Sequence, residues 1–130
     1  MTMSDARTEL DARLATVTGI DAKTIATTSL YTVPTGKTFI PTKVVIRVTA
    51  FTVGAKAVQA AFTLGGNGAF DDFKASSNPT ISALGQVAIM TAENAAFAQQ
   101  DAGDVFSIDI ATASDATTET WAVDVFGYLI

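Results

Sequence analysis

The clearest pattern in the chain lies at residues 33–48, where a proline-glycine turn opens into strict alternation. Ile40, Val44, Ile46 and Val48 share one parity, and Lys43 and Arg47 share the other. Side chains of an extended strand point to opposite faces in turn, so this segment offers one apolar face to a core and one charged face to water. Period-two alternation of this kind predicts a half-buried antiparallel strand. A first strand is expected over residues 25–33 and a second over 38–51, joined at Pro34-Thr35-Gly36, where proline fixes φ and glycine accepts a positive one. Pro41 cannot donate to a ladder, which places its end of the strand at an edge or a bulge.

The same period continues downstream. Residues 56–64 put Val58, Ala60, Phe62 and Leu64 on one face and stop at Gly65-Gly66-Asn67-Gly68. Phe70 and Phe73 flank Asp71 and Asp72 in a short strand or loop, and residues 76–80 form a turn cluster. A further strand is expected over 81–90, whereas 91–103 fits a short helix or a strand. Residues 104–112 set Phe106, Ile108 and Ile110 against Ser107 and Asp109. The last strand, residues 120–130, is apolar on both faces: Trp121, Val123, Val125 and Leu129 on one, Phe126, Tyr128 and Ile130 beside Asp124 on the other. A strand covered on both sides lies between two layers or has its outer face buried by another subunit.

Only the N-terminus breaks the pattern. Leu10, Leu14 and Val17 fall at helical spacing over residues 4–18, with Ser4 placed to cap and Gly19 to terminate. This predicts a short amphipathic helix, or else an arm that orders only against a neighbouring subunit. The expected fold is all-β: an antiparallel, jelly-roll-like β-sandwich of seven or eight strands over residues 21–130, preceded by a helix or arm over 1–20.

Composition narrows the chemistry. The 130 residues suit one domain that needs no staple. Cysteine and histidine are both absent, which removes disulfides, thiolate and imidazole metal ligands, and histidine-activated nucleophiles. Charged residues make up 16%, against roughly 25% in ordinary domains, so the surface is short of charge. The first 74 residues carry all eight basic residues and six acids, while residues 75–130 carry seven acids and no base. An acidic half repels phosphate backbones, which argues against a nucleic-acid partner. With no long apolar run and no signal-like N-terminus, the expectation is a soluble protein, made in the cytoplasm, with no membrane partner.

Each constellation with possible chemistry has a plain structural reading. The glycine-rich stretch 65–68 lacks the following helix and lysine of a phosphate loop and reads as a hairpin turn. The acid pairs Asp71 with Asp72, Asp101 with Asp104, and Asp115 with Glu119 can be imagined around calcium or as glycosidase carboxylates. None fits a known spacing, so they read as solvated turn acids. No catalytic, cofactor-binding or metal-ligating residue is assigned. Phe126, Tyr128 and Ile130 either pack beneath an N-terminal lid built on Leu10 and Leu14 or join it in a subunit or particle interface.

The segment VPTGKTFIPTKVVIRV, preceded by TTSLYTVP and followed far downstream by WAVDVFGYLI, resembles small β-sandwich structural proteins of tailed bacteriophage virions. The resemblance implies a non-enzymatic virion component made in the host cytoplasm. It would be a capsid decoration or cement protein, or alternatively a tail-associated or adaptor protein. The implied partners are further copies of itself, with a trimer among the options, and major capsid or tail proteins. A receptor- or carbohydrate-binding module is the other class, for which Phe70, Asp71 and Phe73 supply the one loop cluster. A hydrolase is the weakest reading.

Overall fold

The computed structural model describes residues 12–54, 58–66, 68–93 and 99–130. These residues form strands β1 (Ala12–Asp21), β2 (Thr27–Thr32), β3 (Phe39–Thr52), β4 (Ala61–Gly65), β5 (Lys74–Ser77), β6 (Val87–Thr91), β7 (Val105–Thr112) and β8 (Thr118–Leu129). They build two four-stranded sheets, ordered β1-β8-β3-β6 and β2-β7-β4-β5, with antiparallel pairing throughout. Every step along the chain except β4 to β5 crosses from one sheet to the other. This interleaving is the order of an eight-stranded jelly roll.

The core lies between the sheets. Val44, Ile46, Val48, Trp121, Val123 and Val125 come from the first sheet and meet Leu30, Phe62, Leu64, Phe106, Ile108 and Ile110 from the second. The parity expected of residues 40–48 therefore holds for the three inner residues on β3. Trp121 meets Phe62 edge-to-face at 5.5 Å, and Phe106 meets Phe39 at 5.8 Å and Phe73 at 5.5 Å. Each such pair adds about 0.5–1.5 kcal/mol beyond its burial.

The expected helix over residues 4–18 is corrected where the structure describes it. Residues 12–21 are a strand, paired with β8 from Ala12 opposite Gly127 to Asp21 opposite Thr120. Leu10 and the Ser4 cap lie outside the described residues. The run Thr16-Val17-Thr18 explains the outcome, because β-branched side chains fit a pleated surface better than a helix. Gly19 has φ +72° and sits in the irregular stretch between Val17 and Ile20, so its freedom serves a bulge and not a helix end.

Two turn features follow the sequence. The chain leaves β2 through a turn in which the Lys37 N–H donates to the Pro34 carbonyl at 3.2 Å, with Gly36 at φ +75°. Pro41 sits beside a bulge, since the register of β3 on β8 shifts between Pro41 and Lys43. On its other side β3 meets β6 only over Lys43–Arg47, and Gln100 bridges Phe39. Two residues on, Pro41 has no N–H to continue that bridge. Differences arise in the shorter elements: β5 ends at Ser77, inside the stretch 76–80 expected as a turn, and β6 starts only at Val87, late in the strand expected over 81–90.

Gly127 lies opposite Pro41 because nothing larger fits. A Cβ there would collide with the Ile40 carbonyl and come within 2.6 Å of Phe39 Cε1. Gly127→Ala should therefore destabilise the sandwich by about 2–4 kcal/mol through overpacking at a rigid backbone. Chemical denaturation checks this, and a midpoint equal to that of the parent would refute the packing account.

Candidate functional site

Two places bring polar chemistry together. One is the outer face of the β1-β8-β3-β6 sheet. Asp124 points outward from β8, its side chain 8% exposed, and is held by both neighbours. Thr16 Oγ1 on β1 donates to Oδ1 at 2.6 Å, and Arg47 Nε on β3 donates to Oδ2 at 3.0 Å. The register explains the geometry: Thr16 lies directly opposite Asp124, and Arg47 sits one diagonal step away, opposite Ala122. Burial raises the Asp124 pKa, but the hydrogen bonds from Thr16 and Arg47 and the charges of Arg47 and Arg13 outweigh it, and the net direction is down. Next to this network the Lys43 ammonium stands 4.6 Å from the centre of the Phe126 ring. Toward the β6 edge the same face becomes aliphatic, with Val45 half-buried and Val87 and Ile89 50% and 63% exposed.

The second place is a pocket of about 150 Å³ lined by the end of β3, the approach to β4, Ser82 of the β5–β6 connection, the β7–β8 loop and the start of β8. Glu119 enters it from β8 and is 2% exposed. Its Oε1 accepts from Ser114 Oγ at 3.0 Å, and the same hydroxyl accepts from the Ala116 N–H at 3.1 Å, which fixes the loop against the carboxylate. Asp115 Oδ1 accepts from the Val58 N–H at 3.2 Å. The other oxygens, Glu119 Oε2 and Asp115 Oδ2, are buried without a hydrogen bond of normal geometry. Burial pushes the Glu119 pKa up, while Ser114 and the Trp121 indole N–H pull it down less strongly.

Of the residues singled out for an interface, Phe126 and Tyr128 stand half-buried on the outer face and Ile130 is 66% exposed beyond the strand. Leu14 is half-buried. It sits at the irregularity in β1 and packs against the core cluster. Leu10 lies outside the described residues.

The other acids are structural. Asp72 accepts from the Gly66 N–H at 2.9 Å and from Gln100 Nε2 at 3.0 Å, which closes the glycine-rich connection between the paired strands β4 and β5. Asp104 Oδ2 accepts from the Asp101 N–H. Phe73 is fully buried, so the Phe70-Asp71-Phe73 cluster does not present two aromatic faces to a sugar. Among the described residues no three acids converge as a metal site. Glu119, expected with Asp115 as a solvated turn acid, is buried, and no local signal in the sequence marks it so.

Comparison with known proteins adds the fold. No protein family and no curated protein sequence matches this chain. Among solved structures, it is similar to a chain of the acidic stable capsid of Helicobacter pylori bacteriophage KHP30, with a TM-score of 0.56 and 12% identity, over 92% of this chain and 94% of that one. It is also similar to a chain of the cyanophage Pam1 capsid asymmetric unit, with a TM-score of 0.54 and 14% identity, over 88% and 80% of the two. At such identities the shared property is the sandwich fold.

The two buried carboxylates predict opposite pH dependences. The folded pKa of Asp124 lies below its ordinary 3.8, so its network contributes stability at neutral pH that is lost as pH falls through the lowered value. Asp124→Asn should cost about 1–2 kcal/mol at pH 7 and progressively less below about pH 4. The folded pKa of Glu119 lies above its ordinary 4.5, so its ionisation costs stability as pH rises through that range and above. Glu119→Gln should raise Tm at pH 7 and leave it unchanged at pH 3. Thermal melts of both variants across pH check the signs.

Proposed function

We propose that this chain is a non-enzymatic structural protein of a bacteriophage virion, and within that role a capsid decoration or cement protein. One observation carries the reading: this sandwich, ordered β1-β8-β3-β6 and β2-β7-β4-β5, is similar over 92% of its length to a chain of a phage capsid structure, covering 94% of that chain. Jelly rolls serve viral shells because they are rigid, pair their strands internally and leave whole sheet faces for neighbours. The phage-like segment at residues 33–48 supports it independently, forming the turn before β3 and its inward row.

In this role the outer face meets other subunits. Phe126, Tyr128 and the row Val45, Val87 and Ile89 supply apolar area, and the Asp124 network holds that face flat by tying β1, β8 and β3 together. Self-association into a trimer is the proposed free state. A protein that binds only the assembled shell stabilises it by mass action, and no bond need be made or broken.

Imaging particles with and without the protein should show one sandwich at each of a set of symmetry-related positions on the shell, and shells lacking it should rupture at lower temperature. Density at the tail alone would move the assignment to a tail protein, and absence from the particle would overturn it. Ile89→Lys, at an exposed site, should change stability by less than about 0.5 kcal/mol yet reduce incorporation by roughly tenfold if Ile89 is an interface anchor.

A further inference from the structure

We propose that the open edge of β6 pairs with β6 of a second copy, antiparallel and about a two-fold axis at Ile89, so that two four-stranded sheets become one continuous sheet. This deepens the assembly reading above by naming what meets the β6 border of the outer face.

Three observations converge. The first is the direction of the backbone. β6 is an edge strand whose one partner among the described strands is β3. The Val48 N–H donates to the Gln86 carbonyl at 2.9 Å, and the register then runs unbroken from Arg47 opposite Val87 to Lys43 opposite Thr91. Alternate residues of an antiparallel strand turn their N–H and C=O to opposite sides, so Ala88 and Met90 bond to β3 while Val87, Ile89 and Thr91 present theirs to the open edge. No backbone group of the described residues meets them there. The chain turns away after Thr91, where the Glu93 N–H donates to the Phe73 carbonyl.

The second is the lack of a guard. Edge strands are usually blunted by bulges, charges or proline. The other three edges of the described sheets follow that rule: β1 has two register shifts and Arg13, β2 shifts between Ser29 and Tyr31, and β5 has Lys74 and a shift against β4. β6 has no shift, and residues 85–92 contain neither a charge nor a proline.

Self-complementarity is the third. A two-fold axis at Ile89 faces that residue with its own copy and sets Val87 opposite Thr91 of the second copy, so three residues supply every donor and acceptor on both sides. Val87 and Ile89, 50% and 63% exposed, then cover each other across the axis. The nearest bases, Arg47 and Lys43, stand one strand back and are held by Asp124 and the Phe126 ring, so like charges do not oppose the approach. A pairing of five-residue strands is small beside the roughly 1,600 Å² of a standard interface. The free protein should therefore pair weakly, with a Kd on the order of 100 μM, and tighten where a shell holds copies side by side.

Sedimentation from about 10 μM to about 1 mM should show a reversible monomer–dimer step. Over the same range, hydrogen exchange should slow at the amides of Val87, Ile89 and Thr91 and stay unchanged at Ala88 and Met90. Ile89→Lys and Ile89→Glu, both at an exposed site, should fold normally and each weaken pairing at least tenfold. Mixing the two variants should restore it, because residue 89 of one copy meets residue 89 of the other. A mass that stays monomeric, a trimer as the largest species, edge amides that do not respond, or a loss that mixing fails to restore would each overturn the strand pair. The virion reading is decided separately by particle imaging and survives any of these results.

Discussion

The sandwich depends on β8 being paired along both edges while its inner face is kept dry. Trp121, Val123 and Val125 face Phe62 and the aliphatic residues of the opposite sheet, and the same strand holds β1 and β3 in register by backbone hydrogen bonds. Remove that strand and β1 has no partner in its sheet, while β3 keeps only the short β6. The tight contact at Gly127 and the three-strand clasp around Asp124 both lie on β8, so a position with no room for a Cβ and a well-satisfied outer charge share one element.

Much of this was legible in the sequence because the strands of an antiparallel sandwich are patterned by their own burial. The alternation in β3 and β7, the role of Trp121 in the core and the irregularity at Pro41 all follow from period two and from proline's missing donor. Residues 12–21 were not legible in the same way. Leu14 and Val17 satisfy a helical spacing as well as a strand with one extra residue, and the bulges in β1 blur the alternation that would have decided between them. The partners of Asp124 were hidden for another reason: Thr16 and Arg47 stand 108 and 77 residues away, and only the strand order brings them together.

The two acids on β8 illustrate how environment decides what a carboxylate does. Asp124 is surrounded by donors and cations and behaves as a satisfied clasp. Glu119, five residues earlier, enters a pocket whose one hydroxyl donor engages a single oxygen. Low exposure in both cases thus goes with opposite pKa directions: each acid has two side-chain donors, but Asp124 also has the positive charges of Arg47 and Arg13 beside it, while at Glu119 burial prevails. The first ties three strands together in the face proposed for assembly; the second holds the β7–β8 loop through Ser114.

The pairing of β1 with β8 also constrains how the protein can be made. These strands lie at opposite ends of the described chain, and β3 likewise waits for β8 to complete its sheet. A ribosome must therefore deliver the chain through β8 before β1 finds its partner, and such distant closures are slow. Until then the nascent chain displays unpaired, apolar strand edges that are prone to association.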